Sequence, residues 1–208
     1  MQGHSIIFVF FISLLLSACS SEQSNQSKGT KSVRLFEQLY ANQTGIDFKN
    51  SLTLEEQAEY INYEYTINGA GVAVGDLNND GLNDIFFCGN KVSDKLYLNK
   101  GDFKFEDITL SSGLGKGSDK WSTGVTFVDI NKDQFLDIYV CRGGDLPSTQ
   151  RANAFYINDG NGSFIDEASN MGLADQGHST QAAFFDYDLD GDLDVYVINH
   201  PGTFDQKR

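Results

Sequence analysis

Three observations in the sequence predict an all-β fold, namely a β-propeller built of four-stranded antiparallel blades and left incomplete in this chain. An acidic nine-residue loop occurs three times, at Asp76–Asp84, Asp129–Asp137 and Asp186–Asp194, at intervals of 53 and 57 residues. Short β-branched and aromatic runs flank every copy, and turn residues recur in step with the loops. A period of about 50 residues holding four strands is that of a propeller blade. No sustained helical periodicity follows Gly69, which excludes a solenoid of helix pairs, and a sandwich or jelly roll would not repeat its turns so closely.

Taken in order, residues 1–19 read as an export signal. Ile6–Leu16 is an apolar run of signal-peptide length, too short to cross a bilayer comfortably. It ends in Leu16-Ser17-Ala18-Cys19, which resembles a bacterial lipobox with Cys19 as the acylated residue, although the segment before it carries His4 and no Lys or Arg. Residues 20–34, rich in Ser, Gln and Asn, form a polar tether. Residues 35–68 are expected to hold the outer strand of a further blade, because Phe36-Glu37-Gln38-Leu39 followed by Gly45-Ile46 echoes the end of each later repeat. A connection follows, and Leu54–Tyr65 has some helical character in Glu55-Glu56-Gln57-Ala58-Glu59.

Residues 69–208 hold two complete repeats and the start of a third. Gly71–Gly75, Gly124–Val128 and Ala182–Phe185 are apolar on both faces, as inner strands buried between neighbours should be. After each loop the chain continues as Asp-Ile-Phe-Phe, Asp-Ile-Tyr-Val or Asp-Val-Tyr-Val, all strand-forming. Leu96-Tyr97-Leu98-Asn99 and Phe155-Tyr156-Ile157-Asn158 supply third strands, with hairpin turns at Lys100-Gly101 and Asp159–Gly162. Phe105–Ile108 and Phe164–Glu167 supply the fourth. The loop between the second and third strands is longer in repeat two, where Arg142–Asn153 forms an insertion.

The loops carry the chemistry. At positions 1, 3, 5 and 9 the side chains are Asp76, Asn78, Asp80 and Asp84; Asp129, Asn131, Asp133 and Asp137; and Asp186, Asp188, Asp190 and Asp194. Alternate oxygens in a tight loop suit a hard, oxygen-seeking cation such as calcium. Gly81 and Gly191 at position 6 permit the sharp turn, whereas Gln134 replaces that glycine in the second copy and weakens the second site. An EF-hand is excluded, because it needs a Glu at position 12 and flanking helices. Position 12 here is Phe87, Val140 or Val197. The rival reading, acidic hairpin turns with no metal, would leave each cluster of oxygens repelling itself.

The formal charge of −14 argues against nucleic acid and against anionic lipid as a partner surface. Cys88 and Cys141 occupy equivalent places, and Ile198 stands there in the third repeat. That favours small buried hydrophobes; spacing alone does not establish a disulfide.

The pattern G-V-x-x-x-D-x-N-x-D-G-x-x-D-[IV]-[FY]-[FV], with its L-Y-x-N and F-x-D partners, resembles the FG-GAP/VCBS repeat of integrin-α-type propellers. More narrowly it resembles the cartilage-acidic-protein-like, ASPIC/UnbV-containing group of bacterial lipoproteins. The resemblance covers Phe36 to the end. It implies calcium at the twelve side chains named above, up to three ions, with backbone carbonyls of Leu82, Phe135 and Asp192 at position 7. Propellers close with four to eight blades, so the chain is expected to be part of a longer protein.

The function expected is a non-enzymatic binding, adhesion or scaffold module with structural calcium, exported as a bacterial lipoprotein to the outer membrane, on its periplasmic or its outer side. Its ligand would be a protein or a carbohydrate outside the cytoplasm, and its contact with the membrane the lipid anchor alone. The alternative is the propeller domain of a polysaccharide-active enzyme. Against that stand the lack of G-x-S-x-G, H-E-x-x-H and Gly-rich phosphate loops, and the absorption of regularly placed carboxylates by the acidic loops. Strand direction puts the acidic loops on one face. The Arg142–Asn153 insertion, Trp121 and His178 fall on the other, and Trp121, Arg142 and His178 are the candidate ligand contacts. The competing role for Trp121 is to plug the central channel.

Overall fold

The computed structural model describes residues 35–58, 63–114 and 120–201. The chain divides into two units, 1–38 and 39–208. The signal segment, Cys19 and the tether lie outside the described residues, and of the first unit only 35–38 are described, irregular and exposed.

The second unit opens with two short helices, α1 (Ala41–Thr44) and α2 (Leu54–Ala58). Gly45 ends α1 in the left-handed conformation, at φ 84°. Thr53 starts α2 by a reciprocal pair of bonds: its Oγ1 accepts the Glu56 N–H at 3.2 Å while Glu56 Oε2 accepts the Thr53 N–H at 2.7 Å. The outer strand expected at Phe36–Leu39 is not formed: no strand precedes Val72 among the described residues. A strand needs a ladder, and no pairing among the described residues includes 36–39. The segment that follows packs on the first sheet instead. Phe48 stacks on Phe87 with centroids 5.0 Å apart, and the Tyr97 hydroxyl donates to Asp47 at 2.8 Å.

Among the described residues ten strands follow: β1 (Val72–Gly75), β2 (Asp84–Phe87), β3 (Lys95–Asn99), β4 (Phe105–Asp107), β5 (Ser122–Val128), β6 (Asp137–Arg142), β7 (Ala154–Asn158), β8 (Phe164–Asp166), β9 (Ser179–Phe185) and β10 (Asp194–Asn199). They form two four-stranded sheets, β1-β2-β3-β4 and β5-β6-β7-β8, and a two-stranded sheet of β9 and β10. Every pairing is antiparallel. The acidic loops join Gly75 to Asp84, Val128 to Asp137 and Phe185 to Asp194, which are register partners in all three sheets.

The core lies between the sheets, and the period-two alternation of β6 divides it. Ile138 and Val140 face the first sheet and join Phe86, Leu96 and Val125. Tyr139 and Cys141 face the third and join Phe155, Ala168 and Ala182. With both faces covered, β6 is buried along its whole length. Each such aromatic or aliphatic side chain stabilises the stack by about 1.5–3 kcal/mol. Val72 of β1, the counterpart of buried Val125, is exposed. The inner strands approach closely, since a Cβ on Gly124 would lie 2.2 Å from the Thr180 carbonyl oxygen. Cys88 and Cys141 are both free and buried, and burial pushes both thiols up.

Candidate metal loops and axial cavity

The three loops fold alike because their own carboxylates hold the backbone. At position 1 one Asp76 oxygen accepts the Asp80 N–H at 3.2 Å and the other the Gly81 N–H at 2.8 Å. Asp129 does the same for Asp133 and Gln134, at 3.0 and 2.9 Å, and Asp186 for Asp190 and Gly191, at 3.2 and 3.1 Å. At position 5, Asp80, Asp133 and Asp190 accept the N–H two residues on, at 2.8, 2.8 and 3.0 Å. Positions 4 and 6 are left-handed in all three loops: Asn79, Lys132 and Leu189 at φ 58°, 60° and 64°, then Gly81, Gln134 and Gly191 at 86°, 76° and 95°.

Gln134 is therefore the one position-6 residue that pays for its side chain with backbone strain. Gln134→Gly is expected to stabilise the protein by about 1 kcal/mol. Urea denaturation checks this, and a variant no more stable than the parent would contradict the strain assigned to the second loop.

Position 9 does a different job. Asp84 and Asp137 are fully buried. Asp84 accepts the Leu77 N–H and the Asn99 N–H, both at 2.9 Å. Asp137 accepts the Ile130 N–H at 3.1 Å and the Asn158 N–H at 2.8 Å. Each carboxylate thus ties the start of its loop to the end of the third strand. The Asn that closes each third strand is accounted for by its side-chain amide, which donates to the position-8 carbonyl, Asn99 to Asn83 at 3.0 Å and Asn158 to Leu136 at 3.1 Å. Burial pushes both carboxyls above the ordinary range, against the pull of those two N–H donors. Asp194 keeps the bond to its loop, from the Tyr187 N–H at 2.9 Å.

In the third loop, one oxygen each from Asp186, Asp188 and Asp194 lies within 4.8 Å of the others. An all-oxygen set of this size and charge fits a hard divalent cation. In the first two loops the position-3 amide instead donates to position 5, Asn78 to Asp80 at 3.0 Å and Asn131 to Asp133 at 2.8 Å. The Asn oxygen in each also accepts the position-5 N–H, at 3.1 Å. At position 7, Leu82 is exposed and Phe135 half-buried, its ring close over Gly160. The Asp192 carboxyl is raised by its hydrogen bond to Asp190, while Asp190 is lowered chiefly by the Asp192 N–H.

At the opposite ends of the inner strands a cavity of about 300 Å³ opens on the axis, lined by Tyr63, Tyr65, Asn68, Trp121, Thr180 and His200 among others. Trp121 is buried, edge-on to Tyr63 at 6.1 Å. His178 lies 6.2 Å from Tyr63 and 5.0 Å from His200, ring to ring. The Tyr63 hydroxyl bridges His200 Nε2, at 3.0 Å, and the Gly144 N–H, at 3.3 Å. Burial, helped by the charge of Arg151, lowers His178 from the ordinary histidine value.

Two of the three expected ligand contacts, Trp121 and His178, meet in this cluster; Arg142 does not. It is buried at the end of β6, where its guanidinium donates to the Ala152 carbonyl at 2.8 Å and the Tyr156 hydroxyl at 3.1 Å. The strand runs on through Arg142, paired with Ser122, so the side chain turns into the sheet and not into the loop. Sequence reasoning missed Tyr63, Tyr65, Asn68 and His200 as site residues. Asn68 was within reach: it stands eight residues before Asp76, as Trp121 and His178 stand eight before Asp129 and Asp186.

An FG-GAP-like repeat family matches residues 76–140 and 144–197, together more than half of the chain. Integrin alpha-8 of Gallus gallus is 28% identical over 176 residues, covering 77% of this chain and 16% of that protein. Cartilage acidic protein 1 of Xenopus tropicalis is 37% identical over 75 residues, 36% of this chain and 11% of its own length. The Mus musculus protein of that name is 29% identical over 139 residues, 66% of this chain and 19% of its own length. The chain thus spans less than a fifth of each of these relatives. The matched residues include all three acidic loops and most of the strands from β2 onward, and the chain belongs to the FG-GAP-like repeat family.

Proposed function

We propose that this chain is a calcium-stabilised propeller segment that serves as a binding or adhesion module outside the cytoplasm, held to the bacterial outer membrane by a lipid on Cys19. The observation that carries the reading is the division of labour between the two ends of the inner strands. Acidic, self-organised loops stand at one end, and a cavity with aromatic, amide and imidazole walls at the other. Calcium would be held by Asp76, Asn78, Asp80 and Asp84 in the first loop, by their counterparts in the second and third, and by the carbonyls at position 7. It would neutralise the loops and lock the hairpins. The cavity would take a protein side chain or a sugar unit, since ring faces and dispersed polar groups suit amphipathic ligands.

The reading assigns no catalytic group. A panel of glycans and exported proteins, screened for binding and for hydrolysis or lyase turnover, is expected to yield binding without turnover. Asn68→Ala and His200→Ala should reduce that binding at least about tenfold, a loss of some 1.4 kcal/mol, with the melting midpoint little changed. Turnover would favour the polysaccharide-active alternative. Binding lost in a folded Asp76→Ala variant, yet kept in Asn68→Ala and His200→Ala, would place the ligand on the loop face. The anchor is tested separately: Cys19→Ala should move the protein from the membrane to the soluble fraction and abolish labelling by a radioactive fatty acid.

A further inference from the structure

The acidic loops are wired to one another. Asn79, at position 4 of the first loop, donates its amide to the Gln134 carbonyl, at position 6 of the second, at 3.0 Å. Lys132, at position 4 of the second loop, donates its ammonium to the Gly191 carbonyl, at position 6 of the third, at 2.6 Å. The same link therefore occurs twice between different residue types. In both cases the donor stands on one left-handed residue and the acceptor on another.

A second connection runs beneath the first. Asp84 holds the Leu77 N–H, and the Leu77 carbonyl accepts the side-chain amide of Asn158 across the blades at 2.8 Å. The Asn158 backbone N–H in turn belongs to Asp137, also at 2.8 Å. The buried carboxylates of loops one and two are thus joined through three hydrogen bonds and two residues. Of the three, the Asn158–Leu77 bond crosses between the repeats, and the other two hold its ends in place, one in each repeat.

We infer that neighbouring loops bind their cations with positive cooperativity, each filled loop presenting its neighbour with a turn already fixed. The inference rests on the calcium reading above and adds the coupling between sites. A cation that orders one left-handed turn orients the donor or the carbonyl on which the next loop depends, so the second ion meets less conformational cost. Charge works in the opposite direction, since two divalent ions repel. Salt of about 0.15 M, with a screening length of about 8 Å, reduces that opposition. Positive coupling measured under these conditions would therefore come from the contacts.

The test is a thermodynamic cycle read by isothermal titration calorimetry of calcium into the chelator-stripped chain. Asp133→Ala disables the second loop at an exposed position. With coupling, the remaining loops lose affinity about fivefold or more. In the Asn79→Gly, Lys132→Gly background, which removes both donors and suits left-handed backbone, Asp133→Ala should abolish one site and leave the affinity of the third loop unchanged, since the second connection joins only loops one and two. Circular dichroism of the stripped chain checks that the sheets persist. If they do not, competition against a chromophoric chelator from the calcium-loaded side gives the same cycle. Unchanged affinity in the remaining loops after Asp133→Ala would overturn the coupling and leave the calcium reading intact. Failure of the parent chain to take up calcium would overturn both.

Discussion

Asp137→Ala is expected to cost about 3–5 kcal/mol even with calcium removed, whereas Asp133→Ala in the same loop costs less than about 1 kcal/mol under that condition. Asp137 is fully buried and is the acceptor for the N–H groups of Ile130 and Asn158. Deleting it orphans one buried and one half-buried donor, at about 1–3 kcal/mol each, and opens a small cavity. Asp133 is exposed, and the N–H groups it holds can turn to water. Urea denaturation in excess chelator separates the two variants. Equal losses would mean that position 9 serves only as a metal ligand and does not tie the loop to the third strand.

Gly124→Ala is the second large effect, expected at about 2–3 kcal/mol. The added methyl would meet the Thr180 carbonyl oxygen at 2.2 Å and Gln181 Oε1 at 2.5 Å. The glutamine can swing away, but the carbonyl belongs to β9, so relief requires the third sheet to move off the second. Ala182 and Phe184 would then loosen against Tyr139. Gly162→Ala is a suitable control, since its Cβ has no neighbour within 4 Å and its cost comes from a φ of 85° alone. A Gly124→Ala protein within about 0.5 kcal/mol of the parent would contradict the close approach of β5 to β9.

Much of this architecture was legible because repetition is a strong signal. Three loops in matched surroundings gave the strand order and which ends of the strands share a face, and the sheets follow that order. What the sequence hid were relations across repeats. Tyr63 and His200 are 137 residues apart, and no spacing rule joins them. Arg142 looked like the first residue of a long loop, yet one more residue of pairing with Ser122 made it part of a buried strand. Phe36–Leu39 carries an outer-strand pattern, but pattern alone does not make a strand without a ladder partner. The position-9 aspartates were read as metal ligands, and their hydrogen bonds to Asn99 and Asn158 became visible only once the third strand was in place.

Calcium in the acidic loops is the centre of the proposed function. The direct measurement is thermal unfolding of the chain in millimolar calcium and in excess chelator, at equal salt and protein concentration. A single site at a hundred times its dissociation constant adds about 2.7 kcal/mol, and for a chain of this size that corresponds to a rise of at least about 5 °C. The predicted result is a midpoint higher in calcium by that amount or more, and higher still if all three loops fill. A midpoint unchanged between calcium and chelator would contradict the claim that these loops are metal sites holding the blades together.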